Sequence, residues 1–114
     1  NVLELSKQYL KRNIGVCIYP EGGIPKDENV VLSKFKQGAF SLAIENGVDI
    51  LPVTFANNRK YLPDFLKGGR PGIIHATVHE PINVGEMTKK DIHLLSDKVH
   101  SLLLRELKTY RKKI

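Results

Sequence analysis

The sequence predicts an α/β domain in which a small, mostly parallel sheet is flanked by helices in three layers. Three observations carry that expectation. Apolar runs bounded by Gly and Pro, clearest at Val16-Cys17-Ile18-Tyr19, read as strands buried on both faces. Other stretches repeat their apolar residues at three- and four-residue spacing, the period of a helix. The resulting order of helix, strand, helix, strand, strand, helix is an alternation that layers helices on a sheet. At 114 residues the chain is one domain by length.

The first helix is expected over residues 2–12. Leu3, Tyr9 and Leu10 are its apolar positions, with Val2 and Leu5 beside them, and Asn13 and Gly15 end it. The first strand follows at 16–19, with Cys17 as a small buried hydrophobe. Residues 20–33 read as a loop, carrying Gly22, Gly23, Pro25 and Asn29. Ser33 is placed as the N-cap of a helix through about Asn46, in which Phe35, Ala39 and Ala43 repeat and Gly47 sits at the C-terminus. A second strand is expected over residues 50–55, where Pro52 removes one ladder donor.

Residues 57–72 are irregular, and a third strand is expected at about 73–79. Its alternation puts Ile74, Ala76 and Val78 on one face and Ile73, His75, Thr77 and His79 on the other. Thr88-Lys89-Lys90-Asp91 is close to a capping box, with Asp in place of Glu. The last helix is expected over 89–111, with a stripe of Ile92, Leu95, Val99, Leu102, Leu103, Leu107 and Tyr110.

Hydrophobic content of 41% suits a folded domain. The single cysteine allows no internal disulfide, which fits a reducing compartment. No apolar run approaches the ~18 residues of a membrane span. The net charge of +6 fits a solvated surface, an anionic lipid surface, a phosphorylated substrate or nucleic acid. Nucleic acid ranks last, because there is no Trp and aromatic residues are 7%.

The run Tyr19-Pro20-Glu21-Gly22-Gly23 is the candidate functional centre. Ligands of open α/β sheets bind beyond the carboxyl ends of strands. Gly22 and Gly23 permit a sharp turn and leave backbone N–H groups unshielded, an arrangement that attracts anions. Glu21 follows an apolar run directly and needs a partner. Lys26, Lys34 and Lys36 are near in sequence and able to meet a phosphate. The same residues also fit an ordinary strand-to-loop turn with an ion-paired Glu.

Residues 14–55 resemble the glycerolipid acyltransferases, the family of 1-acylglycerol-3-phosphate acyltransferase. The family's Phe-Pro-Glu-Gly-Thr-Arg block stands here as Tyr19-Pro20-Glu21-Gly22-Gly23-Ile24. Its Phe-Lys-x-Gly-Ala stands as Phe35-Lys36-Gln37-Gly38-Ala39, and its Val-Pro-Val strand as Leu51-Pro52-Val53. A late Pro-Ile pair is matched by Pro81-Ile82, so order and spacing agree over about residues 3–84.

The resemblance implies a partial glycerol-3-phosphate acyltransferase-like fold. It also implies an enzyme that moves a fatty acyl group from acyl-CoA or acyl-ACP to the hydroxyl of a lysophospholipid acceptor, with no cofactor. Glu21, Gly22, Gly23, Lys26 and Lys36 would form the acceptor and phosphate site, shaped by Pro20, Pro52 and Val53. The family's Thr-Arg is Gly23-Ile24 here, so the phosphate role of that Arg would pass to the glycine amides or to Lys26 and then Lys36.

The family's His-x-x-x-x-Asp block lies before this motif, and no histidine precedes Tyr19 here. The chain is therefore expected to be the C-terminal half of an acyltransferase domain, with its general base upstream of Asn1 and no acyl transfer by itself. His75 and Glu80 are five residues apart in a strand, on opposite faces, and do not replace that pair. His75 and His79 share a face, but two histidines without further ligands make no metal site.

The parent protein is expected to be cytoplasmic, peripheral to the inner face of the membrane, without nucleic acid as a partner. A phosphate- or nucleotide-binding α/β module is the alternative. Tyr61, Leu62, Phe65 and Leu66, among basic residues, read either as a cluster under a loop or as a lipid contact. An exposed sheet edge would make the 114-residue chain self-associate.

Overall fold

In the computed structural model, residues 2–23, 30–61 and 68–113 are described. The elements are α1 (Val2–Lys11), α2 (Gly38–Asn46), β1 (Val53–Phe55), α3 (Asn58–Tyr61), β2 (Ala76–Val78) and α4 (Ile92–Lys113), the last entered through a 3-10 turn at Lys89–Asp91.

Local signals set the helix ends. Asn13 takes a left-handed φ of 61°. Its N–H then reaches Leu10 C=O at 3.1 Å, and Ile14 N–H reaches Tyr9 C=O at 3.0 Å, closing α1 with a paired cap. Gly47 does the same for α2 at φ 60°, with Val48 N–H on Ala43 C=O at 3.0 Å. Ahead of α4, Thr88 N–H donates to Asp91 Oδ2 at 2.9 Å, the carboxylate half of a capping box.

The core lies between α2, α4 and the segments that lead into them. Phe35, Phe40, Val84, Leu95 and Val99 are buried, with Leu32, Ile44, Ile50, Ile82, Met87, Ile92 and Leu103 packed around them. Burying a side chain such as Leu95 contributes about 1.5–3 kcal/mol. The stripe expected on α4 thus supplies the centre of the core. On α1 the pattern does not hold: Ser6 is buried, its hydroxyl donating to Val2 C=O at 2.8 Å, whereas Val2, Leu5 and Tyr9 are exposed. Among the described elements α1 packs mainly against α2, which is too small a surface to cover a whole apolar stripe.

Four further expectations are corrected. Residues 16–19 form no strand, and Cys17, Ile18 and Tyr19 are exposed. An apolar run becomes a strand only beside another strand that takes up its N–H and C=O groups, and none of the described strands lies next to it. The sheet is antiparallel rather than parallel, with Val53 opposite Val78, Thr54 opposite Thr77 and Phe55 opposite Ala76. The buried side chain of Asn57 helps to fix this reversal, donating to Ile73 C=O at 2.8 Å and accepting from His75 N–H at 2.7 Å.

A bridge between Ile50 and Ile82 extends the pairing, with two residues before β1 facing three after β2. This one-residue bulge falls where Pro52 lacks an N–H, while Pro52 C=O still accepts from His79 N–H at 2.9 Å. The sheet is not sandwiched. Thr54 is buried and Thr77 Oγ1 donates to Glu106 of α4 at 3.2 Å, whereas Phe55 and Val78 on the other face are exposed. α2 starts at Gly38, five residues after Ser33, with Gln37 in the N-cap position.

Candidate functional site

The turn at Tyr19–Gly22 is closed by Gly22 N–H donating to Tyr19 C=O at 3.1 Å. Gly22 has a φ of 71°, which any side chain would strain. A Cβ there would also stand 2.7 Å from Lys36 Cε and 3.0 Å from Lys36 Nζ. The lysine side chain therefore lies across the glycine, with its ammonium beside the turn. With the Gly22 amide committed to Tyr19, the next exposed amide is that of Gly23, which makes no hydrogen bond among the described residues.

Two long-range bonds fasten this turn to residues 33–36. Glu21 Oε2 accepts from Ser33 N–H at 2.9 Å, and Pro20 C=O accepts from Lys36 N–H at 2.8 Å. Half-buried Glu21 thus has the partner its position demands. Ser33 C=O in turn accepts from His100 Nε2 of α4 at 3.1 Å. The ring of His100 stands edge-on to Phe35, 4.7 Å between centroids at 71°. A cleft of about 470 Å³ runs between residues 32–37 and the first turns of α4, with Lys34, His93, Asp97 and His100 among its walls.

Of the residues expected at the site, the fold brings together Pro20, Glu21, Gly22, Gly23 and Lys36. Lys26 and Ile24 lie outside the described residues. Pro52 and Val53 are engaged with the other strand: Pro52 is buried and bonded to His79, and Val53 pairs with Val78. The hydrogen bonds of the turn run to Ser33 and Lys36, not to β1. Ser33 and His100 were not legible as site residues. Ser33 reads as a helix cap, and His100 is 67 residues from the loop it holds.

His79 and His75 have structural partners. His79 Nε2 lies 2.7 Å from the buried Thr54 Oγ1, and His75 rests against Tyr110 at 5.9 Å between centroids. No group of three or more metal-binding side chains occurs among the described residues. Tyr61 is half-buried under the Arg70 guanidinium, 5.6 Å from the ring centroid. Leu62, Phe65 and Leu66 lie outside the described residues. No helix among the described residues is long and apolar enough to cross a membrane.

A strand-like run, a Pro-Glu-Gly turn and a lysine folded back over it fall within a segment whose family is shown by comparison. Residues 1–56 match the Acyltransferase family model, and this half of the chain belongs to that family. The chain is similar to human 1-acyl-sn-glycerol-3-phosphate acyltransferase beta, 32% identical over 97 residues, which cover 85% of this chain and 34% of that protein. It is similar also to the mouse alpha enzyme, 30% identical over 110 residues, covering 93% of this chain and 38% of that one. The 1-acyl-sn-glycerol-3-phosphate acyltransferase of Haemophilus influenzae is 27% identical over 104 residues, covering 91% and 42%. The resemblance read from the motifs thus extends over most of the chain, while the chain spans about a third to two-fifths of these relatives. No solved structure gives a significant match.

Proposed function

We propose that the chain is the acceptor-binding part of a glycerolipid acyltransferase. The observation that carries this reading is the Glu21 turn, tied to Ser33 and overlaid by Lys36, within the segment that matches the family. In the reaction of such an enzyme the acceptor hydroxyl oxygen attacks the acyl thioester carbon. A C–O bond forms, the C–S bond breaks, and the thiol leaves with the proton that the hydroxyl gave to a general base. The resemblance assigns that base to a His-x-x-x-x-Asp block, and no histidine of this chain precedes the motif. This chain's part is to place the acceptor. Lys36 Nζ and the Gly23 amide would receive its phosphate, the role of the arginine that Ile24 replaces, with Lys26 as an added contact.

Glu21 holds the turn through Ser33 and sets one wall of the acceptor site. Pro20 fixes the entry to the turn, while Pro52 and Val53 would shape the floor through the rest of the domain. The donor would be acyl-CoA or acyl-ACP and the acceptor a lysophosphatidic-acid-like lipid. The protein would work at the inner face of a membrane as a peripheral enzyme. A phosphate- or nucleotide-binding module without acyl chemistry is not favoured, since the matching relatives bear the names of acyltransferases.

The test is acyl transfer by the protein that carries this chain. A charge-assisted contact is worth about 1.5–3 kcal/mol, so Lys36→Ala is expected to raise the acceptor KM about 10- to 100-fold and to leave the donor KM unchanged. Equal acceptor KM values for the two proteins would overturn the placement of the phosphate. The 114-residue chain alone is expected to turn over no thioester, and measurable turnover would refute its being half of a domain.

A further inference from the structure

We infer that His100 is a positioning residue for the acceptor site, acting on Glu21 through Ser33. The inference rests on the acceptor-site reading above.

The geometry is a two-sided grip on one residue. Ser33 offers its N–H to Glu21 Oε2 at 2.9 Å and its C=O to His100 Nε2 at 3.1 Å. A carbonyl only accepts, so Nε2 carries the proton. The ring is itself located by the core: it stands edge-on to Phe35, which is buried and stacks on Phe40 with centroids 5.9 Å apart. α4 is in turn fixed through Val99, the adjacent residue, and Leu95, little more than a turn away, both buried. The Glu21 carboxylate is thus tied to the packed core through Ser33 and one histidine, in a segment, residues 33–36, that forms no helix or strand.

The same geometry separates His100 from a general base. A base at Nε2 must be unprotonated there, whereas this contact is made by the neutral Nε2–H tautomer and by the imidazolium alike. Lys34, His93 and Asp97 line the same cleft.

Two variants isolate the donor from the ring. His100→Phe keeps an aromatic ring against Phe35 and removes the N–H, while His100→Gln places an amide N–H near the Nε2 position. In the 114-residue chain, hydrogen exchange at the Ser33 amide is expected to speed up about tenfold in His100→Phe, the effect of losing one hydrogen bond of ordinary net strength, and to recover in His100→Gln. In the protein that carries this chain, the acceptor KM is expected to rise by a similar factor in His100→Phe, with donor KM unchanged, and to be rescued by His100→Gln.

Ser33 exchange that ignores His100→Phe, or fails to recover in His100→Gln, overturns the grip itself. Exchange that responds while the acceptor KM stays fixed overturns the acceptor-site reading, and the positioning role with it. Nitrogen-15 correlation of the wild-type imidazole at pH 8 needs no variant to fold. It should find Nε2 protonated, and an Nδ1–H tautomer would overturn the inference.

Discussion

Gly22 shows how much one position can carry. Its φ of 71° belongs to the left-handed region, where a side chain costs about 1–2 kcal/mol, and Lys36 occupies the space a Cβ would take. Gly22→Ala is therefore expected to lower the unfolding free energy by about 1–2 kcal/mol in urea titration. It should also push the Lys36 ammonium off the turn, weakening binding of inorganic phosphate. Gly23, with open space around its Cα and no left-handed φ, is the control. Gly23→Ala with the larger stability loss would contradict this account. At the same scale, Ser33 serves Glu21: the carboxylate needs a donor, and the Ser33 amide supplies it.

Among the elements, the antiparallel pair depends on a side chain outside either strand. Asn57 joins the two ends of the excursion from β1 to β2 by bonds to Ile73 and His75, and Ala56 N–H adds a backbone bond to His75 C=O at 2.9 Å. Asn57→Ala takes this partner from the Ile73 carbonyl and the His75 N–H. Two hydrogen bonds of ordinary net strength are lost, so it is expected to cost about 1–3 kcal/mol by chemical denaturation. Asn57→Asp keeps the acceptor for His75 and loses the donor to Ile73, so it should fall between the two. A loss below about 0.5 kcal/mol in Asn57→Ala would show that the strands hold their order without this clamp.

For the whole molecule, the apolar surface is divided unevenly. α4 covers the Thr54 and Thr77 side of the sheet, while Phe55, Val78 and Leu51 remain exposed, as do Val2, Leu5 and Tyr19 elsewhere. Contiguous apolar surface and an uncovered strand pair favour association. The 114-residue chain is expected to sediment above its monomer mass of 12.9 kDa at tens of micromolar, and Val78→Lys with Phe55→Ser should shift it toward the monomer. A wild-type chain that is a clean monomer throughout would refute this.

What the sequence determined alone is local. Asn13 and Gly47 end their helices, Thr88 and Asp91 open the last one, and the α4 stripe centres on Leu95 and Val99. These depend on residues three to five apart, so they are readable without a fold. The Pro-Glu-Gly turn and its family were legible for the same reason, as short runs in a fixed order. Tertiary structure decided the rest. Whether Val16–Tyr19 is a strand, whether β1 and β2 run parallel, and whether Ser33 caps a helix or grips Glu21 all depend on hydrogen-bond partners distant in the chain. Backbone groups take whichever partner the packed fold presents, and local propensities of a few tenths of a kcal/mol do not outweigh that choice.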